Sequence, residues 1–148
     1  MFFRITILAL LLTTLGLSGC ASLSSSGARA DLAKATRVFV EQRLNDNHGI
    51  DRAIVAELRA LGYEAESGPL TMMPERTQLI VTYDAREEWD FRAYLIEVNL
   101  GVRPADRYHT IVASGRYFRP ALTKKEPAEM VHEVVTKVFP PRGAAGRK

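Results

Sequence analysis

From Arg92 to Arg103 the chain gives its clearest strand pattern. Tyr94, Ile96, Val98, Leu100 and Val102 fall on one side, and Glu97, Asn99 and Arg103 on the other. A period of two is the mark of an extended strand with one dry and one wet face, an arrangement most common in antiparallel sheets. A strand of this kind needs partners, and its neighbours supply them. Gln78 to about Arg86 sets Leu79, Val81 and Tyr83 against Gln78, Ile80, Thr82 and Asp84. Glu87 to Asp90 is polar and reads as the turn between these two strands. Pro104-Ala105-Asp106-Arg107 has the residues of a tight turn, and Tyr108 to Phe118 follows as a further strand with Gly115 as a candidate bulge position. Upstream, Thr36 to Gln42 places Val38 and Val40 on one face and Phe39 on the other.

Two segments change the period to that of a helix. Ile50, Ile54, Leu58 and Leu61 recur at helical spacing, with Ala53 and Val55 widening the stripe. Asn45 to Gly49 supplies turn and cap residues in front, and Asp51 places negative charge in the first turn, where the helix dipole favours it. Gly62 is a natural stop, because it can adopt a left-handed conformation. Ser67 to Glu75, with Pro69 and Pro74, reads as a loop. Glu126 to Phe139 is the second helix, with Met130, Val131, Val134, Val135 and Val138 as its stripe, Pro127 in its first turn and Pro140-Pro141 ending it. Valine is a modest helix former, so a strand is the alternative here, but the spacing and the proline favour helix. The order is β-α-β-β-β-α. It predicts an α+β fold in which a four-stranded, mostly antiparallel sheet carries both helices on one face. The first crossover is right-handed and gives a parallel pair, Leu58 and Val98 belong to the core, and the other sheet face is left exposed and polar.

The N-terminus has a different character. Arg4 precedes an apolar run from Ile5 to Leu12, extended by Thr13 to Leu17. A bilayer core takes about 20 apolar residues to cross, so this run has instead the length of a signal-peptide core. It ends in Leu17-Ser18-Gly19-Cys20, and Cys20 is the only cysteine of the chain. A lone cysteine excludes a disulfide framework. These residues resemble the lipobox of bacterial lipoproteins. The resemblance implies cleavage before Cys20 and lipidation of its thiol. One acyl chain holds only marginally, whereas several together hold a protein to a bilayer effectively for good. Ala21 and Ser22, with no Asp after the cysteine, imply the outer membrane rather than the inner. The expected organisation is a signal peptide at 1–19, a Ser-, Ala- and Gly-rich flexible tether at 20–33, one domain at 34–140, and a disordered basic tail at 141–148 with Arg142, Arg147 and Lys148. The layout, the lipobox and a helix ending in Leu61-Gly62-Tyr63 ahead of a Gln78-to-Tyr83 strand are similar to a group of small uncharacterised envelope lipoproteins. They are also similar to the domain shared by the N-terminal part of the Tol-system propeller protein and the lipoprotein activators of peptidoglycan synthases. No functional residue carries over from those families.

Composition excludes several functions. Lys plus Arg number 20 against 17 Asp plus Glu, a formal net charge of +3, and the cations are scattered rather than gathered in the stripe a nucleic-acid binder needs. There is no Gly-rich phosphate loop, and Ser114-Gly115 lacks the Gly-x-Ser-x-Gly setting of a hydrolase nucleophile. His48, His109 and His132 have no metal-ligand spacing. Asp84, Glu87, Glu88 and Asp90 are flanked by arginines and lack the calcium-loop pattern. No cofactor and no metal are therefore expected. Trp89 and Phe91 bracket Asp90 at the hairpin tip. With Arg86 and Arg92 they are the candidate partner-binding residues, since aromatic and arginine side chains dominate interface anchors; the alternative is that they fold back on the sheet. The expectation is a non-enzymatic binding or accessory module, held by membrane lipid through Cys20 and facing the periplasm, with an envelope protein or the cell wall as partner and no nucleic acid. The alternative is a small periplasmic enzyme or small-ligand carrier, whose sign would be a cleft lined by inward polar groups of shifted titration.

Overall fold

Residues 22–27, 29–89, 93–119 and 125–142 are described by a computed structural model. One mixed sheet is built from β1 (Ser22–Gly27), β2 (Arg37–Glu41), β3 (Glu64–Gly68), β4 (Leu79–Trp89), β5 (Ala93–Pro104) and β6 (Ala113–Phe118), in the order β1-β6-β5-β4-β2-β3. Helices α1 (Ile50–Ala60) and α2 (Pro127–Val138) accompany it. The chain also makes a single helical turn at Arg29–Leu32 and a 3-10 turn at Leu70–Met72. β4, β5 and β6 form the expected antiparallel meander. β1 extends it antiparallel to β6, while β2 runs parallel to both β4 and β3.

The expected four-stranded sheet is corrected to six strands. Both missed strands lie at its edges, where a strand can form on backbone hydrogen bonds with almost no side chain to bury. In β3, Glu-Ala-Glu-Ser-Gly, only Ala65 is buried. The strand forms because Gly62, at φ 90°, turns the chain out of α1 and lays it beside β2, with Ala65 opposite Val38. In β1 all six residues are exposed, and the strand is held by its ladder to β6 and a 2.8 Å contact between the hydroxyls of Ser26 and Ser114. The stretch expected as a loose tether thus contains an edge strand.

The meander is correct in order but not throughout in face. Arg86 pairs with Glu97, and the next residue, Glu87, pairs with Leu95. β5 therefore contains one extra residue, a bulge, which flips side-chain parity on its far side. Inward alternation holds for Val98, Leu100 and Val102; beyond the bulge Leu95 joins the core, Ile96 is buried outside it, and Tyr94 is half-exposed. β4 also continues to Trp89, through most of the expected turn. The strand expected from Tyr108 begins only at Ala113. The preceding residues lie instead on the outer face: the Tyr108 hydroxyl donates to Glu41 (2.9 Å), and the Arg103 guanidinium stacks 5.0 Å from the Tyr108 ring. On that face Phe39 and Ile80 are 2% and 1% exposed, so it is not wholly bare.

The core lies between the inner sheet face and both helices. Val40, Val81, Val98 and Val102 meet Ile54 and Leu58 of α1 and Val131, Val134 and Val135 of α2, all fully buried. Leu58 and Val98 sit where their spacing placed them. Gly115 lets α2 approach β6 closely: a Cβ there would lie 2.4 Å from Val138 Cγ2. At the far end of the sheet, Tyr63 packs edge-on against Phe139 and donates to the Pro140 carbonyl at 2.9 Å. The Arg142 N–H closes that end onto Leu61 O.

Candidate functional site

The ends of the sheet differ. Because β2 is parallel to β4, the chain leaves β2 at the same end as Trp89 and enters α1 through 42–49. Gly49, the residue before α1, has φ 65° and no side chain to cap the helix. Asp46 does this from three residues upstream. Its carboxylate accepts the Asp51 N–H (3.1 Å), the His48 N–H (3.0 Å) and the hydroxyl of buried Tyr83 (2.8 Å). Burial alone would raise the Asp46 pKa, but hydrogen bonds from Asp51, Tyr83, His48 and Ile50 outweigh it and hold the carboxyl below its ordinary value. Burial, reinforced by the bond to Asp46, pushes the Tyr83 phenol far above its usual value against a single opposing contact from the Arg43 N–H. Arg43 itself bonds Asp84 (2.6 Å) and the Tyr83 carbonyl (3.1 Å). His48 Nε2 lies 2.9 Å from Glu87 Oε1, near enough for an ion pair when the ring is protonated, although not aligned as a hydrogen bond.

These groups line a hollow of about 190 Å³. It meets the sign set out for an enzyme, since two inward polar groups have shifted titration. Chemically, however, both shifts have local causes. Tyr83 and Asp46 are each other's partner, and the remaining bonds of Asp46 go to backbone N–H groups of its own loop and of the first turn of α1. Neither oxygen is left aimed at a ligand, and small-molecule sites are commonly about 300 Å³ or more. The arrangement orders the entry to α1.

A second cluster lies on the outer face. Glu97, 7% exposed, accepts Arg116 Nε at 2.7 Å and Asn99 Nδ2 at 3.0 Å, with Arg86 Nε 3.9 Å away. The bond from Arg116 holds the Glu97 carboxyl below its ordinary value despite burial, helped by Asn99. Arg86 and Arg116 both lie over the Phe118 ring, at 5.6 and 5.3 Å.

The candidate partner-binding residues are therefore not one constellation. Arg86 belongs to the Glu97–Phe118 cluster. Trp89, the last residue of β4, does not fold back and is 76% exposed. Phe91 and Arg92 lie outside the described residues, as does Cys20. The histidines do not converge: His48 faces Glu87, His132 Nδ1 meets Glu57 of α1 at 2.8 Å, and His109 stands edge-on to Tyr108. Asp84 and Glu87 are drawn to Arg43 and His48 rather than to each other. Among the described residues no group of three or more His, Cys, Asp or Glu could hold a metal ion, and no helix is long and apolar enough to cross a membrane. The Asp46 network was not foreseen. Its sequence signal is an Asp followed two residues later by an N–H it can accept, in a stretch already marked as a turn.

No family model matches the sequence, and a search of curated proteins finds no match. Among solved structures, the chain is similar in fold to a PelC dodecamer from Paraburkholderia phytofirmans. The two are 15% identical with a TM-score of 0.61, over 87% of this chain and 100% of that one. A single-residue variant of that dodecamer aligns at 13% identity and a TM-score of 0.60, over 80% of this chain and 97% of the other. At such identity the likeness shows the fold.

Proposed function

We propose that this chain is a lipid-anchored protein on the periplasmic side of the outer membrane, and that it works by binding, as a subunit of an assembly of its own copies. The observation that favours binding over catalysis is the chemistry of the hollow at the start of α1, where Asp46 and Tyr83 bond each other and the local backbone. The lipobox-like Leu17-to-Cys20 segment supports the anchor. Self-assembly is supported by the fold likeness to chains that form a dodecamer, a likeness covering the whole of the neighbour. It is also supported by the two sheet edges, β1 and β3, whose outer sides leave backbone groups unpaired by the sheet. An envelope protein or the cell wall remains the class of external partner, met on the polar sheet face around Asn99, Ser114 and Arg116.

One experiment reads both parts of the proposal. The full chain, expressed in a Gram-negative host, is extracted in mild detergent and examined by native mass spectrometry. The expected species is a closed multimer of chains that begin at an acylated Cys20. A monomer with an unmodified Cys20 and a retained Met1–Gly19 segment overturns the proposal.

A further inference from the structure

We propose that Trp89, at the tip of the β4–β5 hairpin, is a second membrane contact, its indole lying in the headgroup layer of the leaflet that holds the lipid on Cys20. This rests on the lipoprotein reading above. What points to it is strand register. Ser22 is opposite Phe118, Phe118 is opposite Glu97, and Glu97 is opposite Arg86. The first residue of β1 and Arg86 of β4 therefore stand in one row across four strands. β1 is antiparallel to β6, β6 to β5, and β5 to β4. β1 therefore begins, at Ser22, at the end of the sheet towards which β4 runs from Arg86 to Trp89.

Distances along the strands bring the tip within reach of the same surface. Trp89 is three residues past the row, about 10 Å at roughly 3.3 Å per residue. Cys20 is two residues before Ser22, a backbone reach of at most about 7 Å. With the sheet upright, the tip reaches as far as the lipid attachment point or beyond it. Between β1 and β4 lie three strand spacings, about 14 Å, so anchor and tip are two separated supports. A lipid at Cys20 alone leaves the tilt of the sheet free, and a contact at Trp89 fixes it.

The side chain suits the place. Trp89 is 76% exposed at the end of a strand, with no fold-back onto the sheet. Tryptophan has an apolar ring with one N–H donor, the combination that concentrates at membrane interfaces. Glu88, exposed beside the tip, keeps the backbone out of the hydrocarbon and limits the contact to headgroup depth.

Trp89 is the only tryptophan in the chain, so its fluorescence reports on this position without a label. The acylated full-length protein is reconstituted into phosphatidylethanolamine–phosphatidylglycerol vesicles, with or without brominated phosphatidylcholine, and flotation verifies anchoring. The expected result is blue-shifted emission, quenched at least about twofold by lipids brominated near the glycerol and less by those brominated at the chain ends, the depth at which interfacial indoles sit. Water-like emission, open to iodide and indifferent to bromolipid, in protein that floats overturns the inference and leaves the anchor standing. Emission shielded from iodide yet untouched by bromolipid also overturns it, in favour of a tip buried against protein. Failure to float overturns the lipoprotein reading and this inference with it.

Discussion

Replacing Asp46 by alanine tests the reading of the hollow as structure rather than chemistry. The substitution removes the acceptor of three hydrogen bonds: from the Asp51 N–H that it caps, from the His48 N–H, and from the Tyr83 hydroxyl. Loss of a helix cap costs roughly 0.5–2 kcal/mol. Tyr83 is 5% exposed, and stranding its O–H donor adds roughly 1–3 kcal/mol, because the Arg43 N–H at 3.3 Å donates to the phenol oxygen and cannot take the place of the lost acceptor. The two losses share one carboxylate and do not simply add. Asp46 is itself half-buried, and water replaces part of what is lost, so the expected cost is about 2 kcal/mol. Urea denaturation of both proteins measures it, with Asp46→Asn expected to lose about half as much because one acceptor oxygen remains. The pH dependence gives a second readout. The folded carboxyl is held below its ordinary value. Its contribution is therefore complete above the unfolded pKa, about 4, and is lost as pH falls through the lower folded value. The gap between wild type and Asp46→Ala should be constant from neutral pH to about 5 and narrow below about 4. A variant within about 0.5 kcal/mol of wild type, as for an ordinary surface change, refutes the capping role. An undiminished gap in acid refutes the electrostatic part.

Two further outcomes follow from close contacts. Gly115→Val should destabilise by about 1–3 kcal/mol, because its Cβ would fall 2.4 Å from Val138 Cγ2 and 2.9 Å from Val134 Cγ2. Adding Val138→Ala should restore part of the loss in a thermal melt, and no rescue would mean that α2 does not seat on β6 at this point. Arg116→Ala should destabilise the fold at neutral pH, since it leaves the buried Glu97 carboxylate with Asn99 and, 3.9 Å away, Arg86 as its remaining partners. Glu97 is held below its ordinary value in the native protein, so this deficit should shrink as pH falls below about 4 and wild type loses the same bond, which chemical denaturation across pH would follow.

What the sequence could reveal of the fold depended on where side chains are buried. β4, β5, α1 and α2 each bury one face against the others, and their hydrophobic periods announce them. β1 buries nothing and β3 only Ala65, so no periodicity could mark them, although together they carry the sheet from four strands to six. The bulge was illegible for another reason. Leu95 and Ile96 are both apolar and both buried, so Tyr94-Leu95-Ile96 fits either parity, and only the pairing with β4 decides between them. In the hollow, Asn45 to Gly49 was legible as a turn, but the bond from Tyr83 to Asp46 joins residues far apart in the chain and is a fact of packing. Two readings of Trp89, exposed anchor or folded-back residue, were open in sequence, with the balance towards the second, and the extension of β4 past the expected turn removes that second reading by leaving Trp89 exposed.

The two ends of the sheet also bear on how an anchored assembly would be built. Trp89, the start of α1 and Ser22, the first residue of β1, share one end. The opposite end is sealed by Tyr63, Phe139 and the Arg142–Leu61 bond, with the Arg142 guanidinium 5.7 Å from the Tyr63 ring. On the proposed anchoring, the first end meets lipid and the strands stand across the membrane plane, so the edges β1 and β3 face sideways. Those edges are chemically unlike. β1 is serine-rich and uncharged, whereas β3 carries Glu64 and Glu66. Unlike edges favour head-to-tail contact between copies, which closes into a ring when the rotation per copy divides a full turn. A contact at Trp89 that fixes the tilt of every subunit would hold that rotation constant. Lipid contact and assembly are then coupled: a protein that loses the Trp89 contact should remain anchored but assemble into less uniform multimers.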